Sequence, residues 1–503
     1  MRLLDEVEAT CRRRADRPYV VHEGRRTTFG ELDRRANRFA HALGRLGVTR
    51  GDRVTLALGN SVEWLVAAFA TLRAGAVLNP VNPALGAREL GYVLGHAGPR
   101  VIVTDEASAA RFATGEVSQP PSSTVAVFGS IPGAVDLEPL LLESSDMPVP
   151  ISIGADDGST LLYTSGTTGN PKGVLFTHGR TGQSGRHLID GMGIRSDDVI
   201  LFVGPLFHGN AWSAAMCAMQ AGCTVAFPKT FHASEFWPLA HASGATVLFT
   251  LGTMLAILLT LEPSEAERTS RLRVILGLGS APIRDRLKER FRVGNILECF
   301  GSTDAGVVTL EPLDTPPRPG SSGPPVPGAR VQIADDEGRE LPPREVGEIT
   351  VLSPHRMAEY FRDPTETARA LRGEWFLTGD MGYVDEDGWL YFVDRKRDVI
   401  RRGGENISSV LVEKTLREHP KVVEVAVIGV PDAVLGQEVK AYVVAREPVT
   451  GEELRKFAAA RLARFQVPRL WEFREALPKT PTQRVEKYKL RAESGARGKP
   501  LLG

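Results

Sequence analysis

From about residue 27 the chain alternates two hydrophobic rhythms. The segment TFGELDRRANRFAHALGRLGVTRGDRV sets Leu32, Ala36, Phe39, Ala40 and Leu43 on one helical face, and Gly47 stops the helix. The apolar run VTLALGN follows, then a helical pattern over 64–72, a strand at AVLNPV, a helical pattern near 88–94 and the strand VIVTD. Strands alternating with helices predict a largely parallel sheet covered on both faces, a doubly wound α/β architecture. The uncharged stretch 242–261 has the length of a membrane span. Its glycines and threonines divide it into a β-type run, ATVLFT, and a helical one, LGTMLAILLTL, which predicts a buried strand-to-helix unit.

The rhythm changes after residue 318. Residues 119–123 and the loop before Gly154 read as surface connections, and RPGSSGPPVPG over 318–328 is denser still in Pro and Gly. Short strands are expected at ARVQIAD, GEITVLS and GWLYFVDR, giving a β-rich subdomain that closes a large N-terminal domain. From Arg395 the pattern becomes α+β, with a helix over 410–418, strands at VVEVAVIGV and VKAYVVA, a helix over 452–462 and a charged tail. At 503 residues the chain exceeds a single core, so domains are expected at 1–393 and 394–503. No internal repeat or low-complexity block interrupts it.

Composition narrows the function classes. Hydrophobic residues are 42% and charged residues 24%, ordinary for a soluble globular chain. Lys plus Arg equals Asp plus Glu at 61 each, so no global field recruits nucleic acid or an anionic membrane, and neither partner is expected. Cys11, Cys217, Cys223 and Cys299 form no CxxC pair and read as reduced thiols. Charges interrupt the apolar positions of MRLLDEVEATCRRR, so a signal-peptide core is not expected and a cytoplasmic location is.

The densest chemistry lies in LLYTSGTTGNPKG, residues 161–173. A hydrophobic strand enters a loop containing Thr164, Ser165, Gly166, Thr167, Thr168 and Gly169, and the loop ends at Lys172. A polyphosphate needs close backbone approach, amide and hydroxyl donors and one mobile cation, and this string offers all of them. It is not a Walker A loop, because GK[ST] is absent, and GLGSAP at 277–282 lacks the last glycine of a dinucleotide fingerprint.

With this loop the chain resembles the adenylate-forming superfamily of acyl- and aryl-CoA synthetases, firefly luciferases and nonribosomal-peptide adenylation domains. The resemblance covers nearly the whole chain in order: the phosphate loop, GPLFHGN, GLGSAPI, FGSTD at 300–304, WFLTGD at 375–380, DRKRDVI at 394–400 and RGGENIS at 402–408. The stretches TGDMGYVDEDGWLYF and FVDRKRDVIRRGGENIS look most like carnitine/crotonobetaine-CoA ligases and their medium-chain relatives.

The resemblance implies roles at matching positions. Ser280, Ala281 and Pro282 with Phe300, Gly301 and Ser302 would hold the adenine side, a flat apolar slot with backbone partners. Asp380 would accept both ribose hydroxyls, and Arg395 would reach the ribose or phosphate. Thr303 would bond the α-phosphate. Asp304 stands where the family usually has Glu and would place Mg²⁺ with a shorter reach, whereas read alone it suits a helix N-cap. Phe207, His208, Asn210, Ala211 and Trp212, with Gly277 and Cys299, would shape the acyl site. Asp394 falls at the hinge about which the family's small C-terminal domain rotates, and Gly403 and Gly404 would follow that rotation into the pantetheine tunnel. The family's LP-x-T-x-x-GK tail places a lysine on the transition state of adenylation. Here that pair reads Gln483-Arg484, the nearest downstream lysine is Lys487, and Lys487 is favoured over Arg484.

The activity implied is ATP- and Mg²⁺-dependent conversion of a small carboxylic acid to acyl-AMP with release of pyrophosphate, then transfer to coenzyme A. Two alternatives stand beside it: delivery to a non-CoA acceptor, as in amine ligation or nitrite-dependent diazotisation, and a catalytically inactive nucleotide-binding protein.

Overall fold

The structure, a computed structural model, describes residues 3–164, 171–396, 398–402, 405–432, 434–479 and 485–496. It divides into two compact units, Met1–Arg330 with Val351–Phe376, and Val331–Thr350 with Leu377–Gly503. The expected boundary at 393/394 is drawn along the chain, whereas these units interleave along it.

The first unit holds two large sheets. In one, Gly158–Thr164, Val77–Pro80, Arg53–Ala57, Val101–Thr104, Thr124–Val127 and Val135–Asp136 run parallel in that order. Lys172–Thr177 and Glu359–Tyr360 add antiparallel at its other edge. The second sheet orders Asn295–Leu297, Val274–Leu278, Val247–Leu251, Val199–Phe202, Thr224–Ala226 and Pro18–His22 in parallel, with Arg25–Thr28 antiparallel at its end. The stretch 242–261 is the strand Val247–Leu251 followed by the helix Gly252–Leu258. Among the described residues no helix is long and apolar enough to cross a membrane.

The predicted amphipathic helix is Phe29–Arg45. It starts where Thr28 accepts from the Glu31 amide and Glu31 reaches back to the Thr28 amide, a reciprocal cap that satisfies two orphan donors. Leu32, Ala36, Phe39, Ala40 and Leu43 are all buried. The next helix, Val62–Arg73, is buried from Trp64 to Arg73, so packing rather than amphipathicity holds it. Its last residue enters the core as a cation. Arg73 is 5% exposed and donates to the Asp33 carboxylate at 2.6 Å and the Asn37 carbonyl oxygen at 2.7 Å, the pairing a buried guanidinium requires. These helices and Gly209–Ala221 contribute to one core with strands of both sheets, including Val54, Leu56, Phe202 and Val225. All four cysteines are buried free thiols.

In the second unit, Val422–Asp432 and Gly436–Ala445 form a long antiparallel pair, flanked by Ile400–Arg402 with Glu405–Ile407 and by the parallel strand Leu470–Phe473. The helices Ser409–Arg417 and Gly451–Ala459 share one core with this sheet through Val412, Leu416, Leu454 and Ala458. The tail is less bare than its charge suggests: helix Lys487–Ala496 buries Leu490 with Ala426, Ile428 and Tyr442. The predicted strands near ARVQIAD, GEITVLS and GWLYFVDR appear as Arg330–Ala334, Gly347–Leu352 and Leu390–Arg395.

Candidate active site

The strands Val199–Phe202, Val247–Leu251, Val274–Leu278 and Asn295–Leu297 run parallel, so their C-terminal ends open on one edge. From that edge leave the loop to Phe207 and His208, the helix starting at Gly252, the turn at Gly279 and the segment Glu298–Phe300. Ligands of open α/β sheets bind where strand C-termini release loops like these.

Residues 279–281 are fixed by a side chain that sequence reasoning missed. Glu298, 5% exposed, accepts from the amides of Gly279 at 2.9 Å, Ser280 at 2.5 Å and Ala281 at 2.7 Å, and from the Ser280 hydroxyl at 2.8 Å. Burial raises its pKa while these donors oppose the rise. Its own amide donates to Glu311, which Arg284 holds at 2.6 Å. The signal was legible: ILECFG puts one charge inside an apolar strand pattern. Gly252 was missed as well, and a Cβ there would lie 2.3 Å from the Gly279 carbonyl oxygen and 2.8 Å from the Ser280 nitrogen. The Pro282 side chain lies outside the described residues.

Phe300 follows on the hairpin Cys299–Ser302/Gly306–Leu310. It is 7% exposed, and its amide donates to Thr309 Oγ1 at 3.1 Å. Gly301 is needed for that pairing, because a Cβ would sit 2.4 Å from the Gly306 carbonyl oxygen. Thr303 and Asp304 occupy the hairpin turn, half-buried, so the helix N-cap that Asp304 suggested is not formed. The Asp304 carbonyl accepts from the Met357 amide at 2.7 Å.

At the expected phosphate loop, Thr164 and Lys172 face each other where Gly158–Thr164 pairs with Lys172–Thr177. Ser165, Gly166, Thr167, Thr168 and Gly169 lie outside the described residues. The Lys172 ammonium forms an ion pair with Glu366 and stands 4.9 Å from the centre of the Tyr360 ring. The Asp304 carboxylate lies within electrostatic reach of the Tyr360 hydroxyl. Burial and that carboxylate push the tyrosine pKa well above its ordinary value.

Near the expected acyl site, Phe207 and His208 rings are 4.8 Å apart. Burial lowers the His208 pKa to about 4, so the ring is neutral at physiological pH, and its Nε2 has no hydrogen-bond partner among the described residues. A ligand oxygen or thiol fits beside that orphaned nitrogen. Asn210 is half-buried, Ala211 and Trp212 are buried, and Trp212 packs on Trp64 at 5.4 Å and Phe69 at 5.7 Å. Gly277 and Cys299 are buried, and Leu255 and Ser280 crowd the space a Gly277 Cβ would take. Burial also pushes the Cys299 thiol pKa up, so it is no nucleophile.

The second unit carries the remaining positions. Asp380 pairs in register with Arg395 across two antiparallel strands, 3.5 Å from its Nε, and is 8% exposed. Asp394 is 1% exposed and accepts from the Ser409 amide at 2.6 Å and hydroxyl at 2.8 Å. Burial raises its pKa against the pull of Lys487. The Lys487 ammonium donates to Ser409 Oγ at 2.6 Å and pairs with Glu413 at 2.7 Å, only 13% exposed. Gly403, Gly404 and Arg484 lie outside the described residues.

No group of three or more His, Cys, Asp or Glu among the described residues could hold a metal by itself. Half-buried on the hairpin turn, Asp304 would supply the hard carboxylate oxygen that Mg²⁺ asks of a protein whose nucleotide brings the remaining ligands.

The sequence profile of the AMP-binding enzyme family matches residues 7–361, and that of the AMP-binding enzyme C-terminal domain matches 411–484. The chain is 34% identical over 494 residues to a fatty acid–[acyl-carrier-protein] ligase of Streptomyces coeruleorubidus, covering 94% of this chain and 93% of the relative. It is 33% identical over 487 residues to a crotonobetaine/carnitine–CoA ligase of Salmonella paratyphi A, covering 93% of each. Its fold superposes on the anthranilate CoA ligase AuaEII in complex with anthranoyl-AMP, with TM-score 0.91, 26% identity and coverage of 99% of this chain and 98% of that one. Full-length likeness of this kind, over a site edge carrying Glu298, Phe300 and Asp304, leaves one conclusion: the chain belongs to the AMP-binding enzyme family.

Proposed function

We propose that this protein activates a small carboxylic acid with ATP and passes the acyl group to the thiol of coenzyme A. In the first half-reaction a carboxylate oxygen attacks the α-phosphorus and pyrophosphate leaves with the bonding pair, giving acyl-AMP. In the second, the thiol sulfur attacks the acyl carbonyl, the thiol proton passes to solvent, and AMP leaves. The observation that carries the reading is the carboxylate-held loop 279–281 next to the Phe300 hairpin, at the positions where the family binds its adenylate.

The chain's residues act by position and charge. Ser280, Ala281 and Phe300 seat the adenine, Asp380 takes the ribose hydroxyls, and Arg395 stands beside it. Thr303 donates to the α-phosphate, and Lys172 meets the departing phosphates. Bound Mg²⁺, held at Asp304, would neutralise charge on the phosphate oxygens. His208, neutral and with its Nε2 unpartnered among the described residues, aligns the carboxylate without acting as its base. Asp394 serves as hinge, with 1–393 and 394–503 as the moving parts and Gly403 and Gly404 at the thiol channel. Of the two candidate adenylation cations, the enclosure of Lys487 by Ser409 and Glu413 supports Arg484.

One second reading has an observation behind it. The fatty acid–[acyl-carrier-protein] ligase relative is as similar as the CoA ligases, so the accepting thiol could be that of a carrier protein's phosphopantetheine. Pyrophosphate exchange across a panel of acids identifies the acid, and mass analysis with coenzyme A, a holo-carrier protein, amines and nitrite identifies the acceptor. Acid-dependent exchange with a CoA thioester as product is expected. No exchange with any acid would sink the activation step, and a product on another acceptor alone would replace the second half-reaction.

A further inference from the structure

The ion pair between Lys172 and Glu366 is unexplained by phosphate binding, because a cation meant for polyphosphate is already engaged. Glu366 is placed with care. Asp363 caps the helix Pro364–Ala370 by accepting from the Glu366 amide at 2.9 Å, and Pro364 opens the first turn. Thr367 ties that turn to the preceding strand by accepting from the Tyr360 amide at 3.0 Å and donating to the Asp363 carbonyl at 2.8 Å. The same short segment therefore sets Tyr360 under Lys172 and Glu366 against it. Glu366 has a second cation, since Arg369 one turn on donates to its other oxygen at 2.5 Å. Lys172 and Arg369 together pull its pKa below the usual carboxylate value, so it is ionised whenever nucleotide arrives.

We propose that Glu366 is a resident counter-ion which holds Lys172 in the nucleotide-free protein and yields it to the polyphosphate, the carboxylate remaining on Arg369. The lysine stem pivots over the Tyr360 ring, which the same short segment holds in place while the ammonium changes partner. The exchange makes two demands. Glu366 competes with phosphate oxygens for the ammonium, so it weakens ATP and pyrophosphate binding. It also retakes Lys172 when pyrophosphate leaves, so it speeds product release. Two side chains about a third exposed, 32% and 26%, form a pair weak enough to exchange.

This inference rests on the assignment of Lys172 to the phosphates, and the experiment separates the two. Binding of Mg²⁺-pyrophosphate and Mg²⁺-ATP to the full-length protein is measured by calorimetry for wild type, Lys172→Ala, Glu366→Gln, the double variant and Arg369→Ala, with melting curves for each. Glu366→Gln should tighten pyrophosphate binding about fivefold, roughly the worth of one partly exposed pair, and slow its release in stopped flow. Arg369→Ala should weaken binding, because the carboxylate loses its alternative partner and stays on Lys172. The double variant should bind like Lys172→Ala. Unchanged or weaker binding by Glu366→Gln, or equal tightening in the Lys172→Ala background, overturns the counter-ion exchange. Unchanged binding by Lys172→Ala overturns instead the phosphate assignment beneath it.

Discussion

Two buried side chains matter more than their exposure suggests, Glu298 at the candidate site and His355 in the fold. Glu298 accepts four donors around one loop, and a glutamine there offers a single carbonyl oxygen while its amide opposes backbone N–H groups. Glu298→Gln should weaken AMP binding about tenfold, roughly 1.4 kcal/mol, in calorimetry. Unchanged affinity would mean that the loop keeps its shape without the carboxylate. His355, buried with its ring tilted against that of His187 and the ring centres 4.3 Å apart, has its pKa lowered by burial to about 4. The lowered value means the unfolded chain binds the proton first, so stability is fully present above pH 6.5 and falls as pH drops towards 4. Over that window the group removes on the order of 3 kcal/mol. Melting temperature against pH should therefore be flatter in His355→Gln than in wild type, and parallel curves would place the acid sensitivity elsewhere.

At the scale of elements, close backbone approach sets the loop 279–281. The helix Gly252–Leu258 begins against the turn at Gly279, where only hydrogen fits on the α-carbon of Gly252. Gly252→Ala must move either the helix start or residues 279–280. It should lower AMP affinity at least as much as Glu298→Gln, while pyrophosphate binding, which we assign to the strand pair at Lys172, stays within about twofold. Equal loss for both ligands would signal general misfolding rather than a displaced loop. The Phe300 hairpin obeys the same rule at Gly301, where the facing strand leaves no room for a Cβ.

At the scale of the molecule, the proposed residues fall in both compact units, Lys172, Ser280 and Phe300 in one, Asp380, Arg395, Asp394 and Lys487 in the other. A family that alternates domains between half-reactions predicts mutants that separate those reactions. Arg484→Ala should slow acyl-AMP formation at least about tenfold, about 1.4 kcal/mol of barrier, and leave thiol attack on supplied acyl-AMP intact. Lys487→Met, which opens the cluster with Ser409, Glu413 and Asp394, should lower the melting temperature and disturb both half-reactions together. If Lys487→Met instead slowed adenylation alone, with an unchanged melt, the catalytic cation would be Lys487.

Local rules determined what the sequence alone could decide. The 3.6-residue spacing from Leu32 to Leu43 and the Thr28–Glu31 cap specify a helix without distant help, and the apolar runs between turn signals specify the parallel strands. The ordered motifs named the family and pointed to Phe300, Asp380 and Lys172. Partnership across the chain was left to the tertiary structure. That Glu298 closes on residues 279–281, that Glu366 meets a lysine 194 positions away, and that Lys487 lies against Ser409 and Glu413 are decided by which segments pack together. Charge type is written in the residue, whereas burial, and with it the strength and purpose of that charge, arises only when the surrounding sheets and helices have excluded water.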